Sequence, residues 1–294
     1  MLTGSITALV TPMTLDGSID YPSLQHLVER QVTSGTRGLI IAGSTGESHA
    51  LTDQEHHEIL SFVVNQVEKR VVIIANTGTS SLAQTIALTE DAQKAGATMA
   101  LIMPPAYSRP TQEGLYAYYK AITEAVNLPI IIYNAPKRAG CDIPPETTKR
   151  LSLIPSIVGI KETAEQEGRI QTLLDLCDST FGIYDGNDER AFDSLTRGTK
   201  GTMSVTSNIL PREMATICET VLSGDIATAK AWNDKLMPLH DALFLEPNPI
   251  PVKWVLHKMG FIPAGIRLPL QPLNSEYHAR LEQALAKAGL SIKY

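Results

Sequence analysis

The segment Ser156-Ile-Val-Gly-Ile-Lys161-Glu162 decides the fold class, because its short apolar run stops abruptly at a lysine. A brief, continuously apolar run rich in Ile and Val is typical of a parallel strand that is covered on both faces. At the rim of such a layer, desolvation disfavours the charged form of a lysine. Lys161 is therefore predicted to be a neutral amine able to form a Schiff base with a carbonyl substrate. The alternative is a solvent-facing lysine beside Glu162.

Seven further apolar runs resemble the one that precedes Lys161. They span residues 6–10, 38–42, 71–75, 99–103, 130–133, 181–184 and 202–205. Helix-like segments lie between them, with start signals such as the capping box Thr52-Asp-Gln-Glu55 and stop signals such as Gly96. Eight successive strand–helix units predict a (β/α)8 TIM barrel, with a doubly wound open sheet as the alternative.

The last seventy residues have a different pattern, which is helical throughout. Residues 227–243, 249–259 and 275–288 are helix-like and are separated by turns that contain Pro or Gly. We therefore expect a catalytic barrel over residues 1–224 and a C-terminal helical extension over residues 225–294. Because no low-complexity linker separates them, the extension is expected to pack on the barrel.

The composition excludes several classes of protein. The net charge of −6 disfavours nucleic-acid binding, which needs clustered Lys and Arg. No apolar stretch approaches the roughly 20 residues needed to cross a bilayer, and no signal peptide is visible. The three cysteines, Cys141, Cys177 and Cys218, form no Cys-x-x-Cys pair, which fits reduced thiols in the cytosol. A cytoplasmic protein with no nucleic-acid or membrane partner is predicted.

Polar residues follow several predicted strands, and in a barrel the carboxyl ends of the strands form the active-site face. Hydroxyl groups there can relay protons, and an arginine can bind a carboxylate through two hydrogen bonds. The ordinary alternatives are turn residues, a core tyrosine and a surface-loop arginine. The candidates are Ser44, Thr45, Tyr107, Tyr133, Arg138, Lys161 and Gly186.

Metal and nucleotide cofactors are not predicted. The only histidine cluster, Glu55-His56-His57-Glu58, lacks the His-Glu-x-x-His order and is expected to form a solvated helical face. The glycine-rich turn that begins at Gly43 lacks the Gly-Lys-Ser/Thr ending of a phosphate loop. A covalent imine on lysine needs no other group.

Several motifs, in the same order, make the chain similar to a known family over almost its whole length. They include Gly43-Ser-Thr-Gly-Glu47, Tyr133-Asn-Ala-Pro-Lys-Arg-Ala-Gly140, Gly159-Ile-Lys-Glu162 and Glu246-Pro-Asn-Pro-Ile-Pro-Val-Lys253. The chain resembles the dihydrodipicolinate synthase family of the pyruvate-dependent N-acetylneuraminate lyase superfamily. The resemblance implies that pyruvate forms an imine with Lys161 and that its enamine attacks L-aspartate 4-semialdehyde, in the diaminopimelate pathway to lysine.

The resemblance also implies roles for the other candidates. Tyr133, Ser44 and Tyr107 form a proton relay, with Tyr107 donated by a neighbouring subunit of a homotetramer. Thr45 binds the carboxylate of pyruvate, and Arg138 binds that of the semialdehyde. The backbone at Met203 lies against the bound pyruvate, and Gly186 is a further substrate-binding position.

Two other functions are compatible with a reactive lysine. A lyase or aldolase for sialic or keto-deoxy sugar acids would share Lys161 and Tyr133 but would not need Arg138. Sialic-acid lyases usually have an apolar residue at that position, so Arg138 favours the synthase. A non-catalytic barrel that binds a keto acid is the second alternative, and the retention of Lys161 and Tyr133 together with two hydroxyl groups argues against it.

The chain departs from the family pattern at two places. Ser44 replaces the usual threonine, which removes the methyl group that restricts χ1. Among the positions that bind lysine as a feedback inhibitor in many members, Ser48 and His56 are retained, and the others are occupied by Asp53, Ser80, Gln84 and Ala106. The loss of an aromatic wall and a carboxylate should weaken lysine binding by several kcal/mol. Feedback inhibition is therefore expected to be weak or absent.

Overall fold

Eight parallel strands close into a barrel in the computed structural model, which describes residues 1–290. Each strand pairs with its neighbours in the chain, and β8 pairs with β1, which excludes the open sheet. The predicted TIM barrel is confirmed. The strands are β1 Gly4–Ala8, β2 Gly38–Ile41, β3 Val72–Asn76, β4 Met99–Ile102, β5 Ile130–Asn134, β6 Ile157–Glu162, β7 Gly182–Asp185 and β8 Gly201–Ser204.

Twelve α-helices accompany the strands in the described part of the chain. The capping box of α2 is present, because Thr52 Oγ1 accepts from the N–H of Glu55 and the Glu55 carboxylate accepts from the N–H of Thr52. The helices are α1 Tyr21–Thr33, α2 Asp53–Val67, α3 Leu82–Ala95, α4 Gln112–Ala125, α5 Pro136–Ala139, α6 Pro145–Ser152, α7 Arg169–Leu176, α8 Ala191–Arg197, α9 Pro211–Ser223, α10 Ile226–Ala242, α11 Ile250–Lys258 and α12 His278–Lys287.

The strands are continuously apolar because both of their faces are buried. In β5, Ile131 and Tyr133 point into the barrel interior, where Met203 also packs. Ile130 and Ile132 point outward and belong to the larger core between the strands and the helices. Side chains therefore fill the barrel, and functional groups are accessible only at its end.

The strand β6 is longer than predicted and contains Lys161 rather than ending before it. Lys161 pairs with Tyr133 of β5 on one side and with Tyr184 of β7 on the other. The predicted end of this strand, just before Lys161, was wrong. Lys161 and Glu162 are polar, but both can be buried because they point to opposite faces of the strand. The backbone of Lys161 is thus held by strand pairing on both sides.

The C-terminal segment packs on the barrel through α10, which contacts the barrel helices α8 and α9, and α12 in turn packs on α10. The predicted helix over residues 275–288 begins as a 3-10 turn, Ser275–Tyr277, before α12. The boundary at residue 224 stays a prediction, and residues 291–294 of the predicted extension lie outside the described residues. Over residues 1–290, no helix is both long and apolar enough to cross a membrane.

Candidate active site

A cavity of about 730 Å³ lies at the carboxyl ends of the strands and contains the amine of Lys161. The Lys161 side chain is mostly buried, and its Nζ lies 4.6 Å from the centroid of the Tyr133 ring. The ring of Tyr133 thus lies next to the amine. The cavity wall includes six of the eight predicted site residues: Ser44, Thr45, Tyr133, Arg138, Lys161 and Gly186.

A buried ion pair between Glu162 and Arg169 fixes the ends of β5 and β6. Glu162 points away from the cavity and accepts hydrogen bonds from Asn134 Nδ2 at 3.0 Å and Arg169 Nε at 3.1 Å. Burial raises the pKa of Glu162, and the charge of Arg169 opposes that shift. Because Asn134 and Glu162 follow Tyr133 and Lys161 directly, this network holds the phenol and the amine side by side.

The side chain of Lys161 occupies the space that a side chain at position 186 would need, which only glycine leaves open. A Cβ atom at Gly186 would lie 2.5 Å from Thr163 Cγ2 and 2.7 Å from Lys161 Cε. Both distances are well below van der Waals contact. Any larger residue at this position would therefore displace the lysine.

Buried contacts of Glu47 stabilise the loop that bears Ser44 and Thr45. This residue has a left-handed backbone (φ 58°), is fully buried, and accepts a hydrogen bond from the N–H of Arg267 at 3.1 Å. Its other carboxylate oxygen pairs with the buried ammonium of Lys253, whose pKa burial lowers. Both residues lie in the family-like motifs, but their pairing could not be predicted because 206 positions separate them.

Asn248, which was not predicted as a site residue, connects the two residues expected to bind carboxylates. Its Nδ2 donates to Thr45 Oγ1 at 2.9 Å, and its main-chain carbonyl accepts from Arg138 Nη2 at 3.3 Å. The only available signal was its place in the family-like segment that begins at Glu246. The extension thus supplies part of the cavity wall.

Two predicted site residues do not line the cavity. Tyr107 is 97% exposed and has a left-handed backbone (φ 75°). Met203 is fully buried inside the barrel, and Val205 is the residue near the end of β8 that lines the cavity. The roles predicted for Tyr107 and Met203 stay predictions.

The histidine cluster in α2 differs from the expected solvated face. His56 is buried, and its Nε2 lies 2.6 Å from the carbonyl oxygen of Asn76, whereas His57 is exposed and lies beside Asp91. The prediction was wrong for His56 because this residue shares the inner face of the helix with Ile59. In the part of the chain that the structure describes, no group of three or more His, Cys, Asp or Glu residues could hold a metal ion.

Comparisons with known proteins show the family to which the chain belongs. The model of the dihydrodipicolinate synthetase family matches residues 1–288. The 4-hydroxy-tetrahydrodipicolinate synthase of Stutzerimonas stutzeri is 47% identical over 290 residues, which cover 99% of each chain. The enzyme of the same name from Pseudomonas aeruginosa is 46% identical, with the same coverage.

Several solved structures have the same fold as this chain over nearly its whole length. The chloride-inhibited dihydrodipicolinate synthase of Acinetobacter baumannii, solved with pyruvate, has a TM-score of 0.96 and 45% identity, and the match covers 98% of this chain and 99% of that one. A monomeric dihydrodipicolinate synthase variant has the same TM-score at 38% identity, covering 98% of this chain and 97% of its own. The chain therefore belongs to the dihydrodipicolinate synthetase family.

Proposed function

We propose that this chain is a 4-hydroxy-tetrahydrodipicolinate synthase, which condenses pyruvate with L-aspartate 4-semialdehyde. The observation that carries the proposal is the buried amine of Lys161, which lies beside the Tyr133 ring at the end of a filled barrel. Relatives with this name cover nearly the whole chain. This reaction requires no metal or nucleotide.

The reaction begins when the amine of Lys161 attacks the keto carbon of pyruvate and water leaves, which forms an imine. Loss of a proton from the methyl group gives an enamine, whose carbon forms a bond with the aldehyde carbon of the second substrate. The aldehyde oxygen takes up a proton and becomes a hydroxyl group, and the imine with Lys161 forms again. The amino group of that substrate then attacks the imine carbon. This step closes the ring and releases the lysine amine.

The other cavity residues have roles that fit this sequence of steps. We assign the proton relay to Tyr133, with Ser44 and with Tyr107 of a neighbouring subunit. Thr45 is assigned to the carboxylate of pyruvate, and Arg138 to that of the semialdehyde. The short distances from Asn248 to Thr45 and Arg138 support a common anion-binding wall. Gly186 and the backbone of Met203 complete the proposed pyruvate site.

Assembly and location are further parts of the proposal. We propose a homotetramer, because the relay needs Tyr107 from another subunit and this side chain is 97% exposed in the single chain. We also propose a cytoplasmic location. All three cysteines are free thiols, which fits a reducing compartment.

The test combines covalent trapping with turnover. Borohydride is added to the enzyme with pyruvate, and peptide mass analysis should find one reduced pyruvyl group on Lys161. Lys161→Arg keeps the charge and should abolish the adduct, whereas Lys137→Arg changes another, exposed lysine of the same cavity and should retain it. Turnover of L-aspartate 4-semialdehyde should far exceed cleavage of N-acetylneuraminate. An unmodified Lys161, or preference for the sugar acid, would refute the proposal.

We also propose that lysine inhibits this enzyme weakly or not at all. Gln84 Nε2 donates to Asp53 Oδ1 at 3.2 Å, so these two polar groups satisfy each other. Ala106 offers no aromatic ring to an effector. Millimolar lysine should leave the condensation rate nearly unchanged, and strong inhibition at lower concentrations would contradict this prediction.

A further inference from the structure

The segment from Asn134 to Ile143 bears Arg138 and forms a loop whose two ends are joined by side chains. Asn134 Oδ1 accepts from the N–H of Ile143 at 3.0 Å, and Asn134 Nδ2 donates to Asp142 Oδ1 at 2.8 Å. These partners fix the orientation of the amide, because a carboxylate only accepts and a main-chain N–H only donates. The short helix α5 lies between the two ends, and Arg138 lines the cavity from this closed loop.

Asp142 connects the end of the loop to two helices. Arg169, the first residue of α7, donates from Nη1 to Asp142 Oδ2 at 2.9 Å and from Nη2 to Asp142 Oδ1 at 2.8 Å. Gln112, the first residue of α4, donates from Nε2 to the main-chain carbonyl of Asp142 at 2.9 Å. A bidentate pair of carboxylate and guanidinium fixes direction as well as distance. The end of the loop is therefore held in one place relative to the barrel.

The carboxylate of Asp142 is not needed to balance a buried charge. The Arg169 side chain is 2% exposed, but it already pairs with the fully buried Glu162. The Asp142 side chain is 41% exposed, so its charge is partly solvated. What Asp142 contributes is the fixed geometry of its hydrogen bonds to Arg169 and Asn134.

The guanidinium group of Arg138 depends on this loop for its position. Arg138 is exposed, and its Nη2 donates to the carbonyl oxygen of Asn248 at 3.3 Å, which is long for such a hydrogen bond. A contact of that length restrains the side chain weakly. The place of the guanidinium in the cavity is therefore set mainly by the backbone of the loop.

We infer that Asp142 is a positioning residue for Arg138 and thereby controls the affinity for the carboxylate of the aldehyde substrate. The inference rests on the proposed function, in which Arg138 binds that carboxylate. Two parallel hydrogen bonds between guanidinium and carboxylate form only when the two planes are aligned. A loop that is open at its base loses this alignment. Because the carboxylate is bound equally before and during the reaction, the loss should raise KM and leave kcat nearly unchanged.

The test measures the Michaelis constants of both substrates in Asp142→Asn. The new amide has one acceptor oxygen in place of two, so its NH₂ group faces an N–H donor of Arg169 or Asn134. KM for L-aspartate 4-semialdehyde should rise roughly tenfold, which corresponds to the loss of one charged hydrogen bond. The kcat value and KM for pyruvate should change less than about threefold. Asp142→Ala removes both acceptor oxygens without adding a donor and should show the same selective rise.

Glu113→Gln is the matched control. The Glu113 carboxylate also accepts two hydrogen bonds from an arginine, Arg150, at 2.5 and 2.9 Å, but this pair joins α4 to α6 and does not involve the loop. No Michaelis constant should change more than about threefold in this variant. Borohydride trapping of pyruvate on Lys161 should be normal in the control and in both Asp142 variants, which shows that each is folded.

A second background separates positioning from a role in folding. Arg138→Lys keeps a cation in the cavity but lacks the planar pair of N–H donors. In this background Asp142→Asn should change KM for the semialdehyde less than about threefold, because the geometry that Asp142 fixes is already absent. The effects of the two substitutions should therefore be strongly non-additive. A tenfold rise in both backgrounds would show that the effect does not pass through Arg138.

Each remaining outcome contradicts the inference. An unchanged KM for the semialdehyde in both Asp142 variants would mean that the loop keeps its position without this carboxylate. An equal rise for pyruvate, or slow imine formation, would mean that Asp142 supports Lys161 and not Arg138. If the unsubstituted enzyme does not condense pyruvate with the semialdehyde, the proposed function fails and the inference with it. Turnover by that enzyme without a selective effect in the variants refutes the inference alone.

Discussion

Replacement of Gly186 by alanine should slow the reaction of Lys161 with pyruvate, although the lysine itself is unchanged. The new Cβ atom would lie 2.7 Å from Lys161 Cε and 2.5 Å from Thr163 Cγ2. Gly186 does not have a left-handed backbone, so alanine there causes no backbone strain. The effect should therefore be purely steric.

The magnitude follows from these two distances. Carbon atoms at rest are about 3.5–4.0 Å apart, so Lys161 Cε must move by roughly 1 Å. Overpacking of this size destabilises a protein by about 1–3 kcal/mol, and a 1 Å displacement of a reacting group can reduce a rate about 100-fold. We expect Gly186→Ala to form the pyruvate imine about 100-fold more slowly and to remain folded.

The assay measures imine formation by borohydride quenching at timed intervals, with urea unfolding measured alongside it. Gly114→Ala is the matched control, because a Cβ atom there lies 3.4 Å from its nearest atoms, within α4. That variant should react normally and gain up to about 1 kcal/mol of stability. Imine formation at the normal rate in Gly186→Ala would refute the steric argument.

Three further predictions concern stability and the relay. Arg267 lowers the pKa of Glu55 from 4.5 to about 2, so this ion pair contributes fully above pH 4.5 and is lost as the pH falls toward 2. Glu55→Gln should cost about 1 kcal/mol in urea unfolding at pH 7, because solvent screens this partly exposed pair, and clearly less at pH 3, and a difference independent of pH would contradict this. Lys253→Met should cost about 3–5 kcal/mol because it leaves the Glu47 carboxylate buried and unpaired. Strictly additive effects of Lys253→Met and Glu47→Gln would show that the pair is uncoupled. Ser44→Thr should raise kcat roughly two- to fivefold by restricting χ1, and a lower kcat would argue against Ser44 in the relay.

Much of the barrel could be predicted from the sequence because its signals are local. Continuous Ile- and Val-rich runs such as residues 130–133 indicate strands buried on both faces, and their regular alternation with helices allows few topologies. Residues at the strand ends, such as Ser44 and Lys161, could then be placed on one face. The position of Gly186 against Lys161 required coordinates, since it depends on side-chain packing between two strands.

The sequence by itself determined the barrel, the position of Lys161 at the end of a strand and most of the cavity wall, because each depends on short-range pattern and on the common direction of parallel strands. Only the tertiary structure decided how the C-terminal extension contributes. Lys253 pairs with Glu47, Asn248 with Thr45, and His240 with Thr206. The first two contacts join residues more than 200 positions apart. They arise when α10 and α11 pack on the closed barrel, and no local pattern in the extension indicates them.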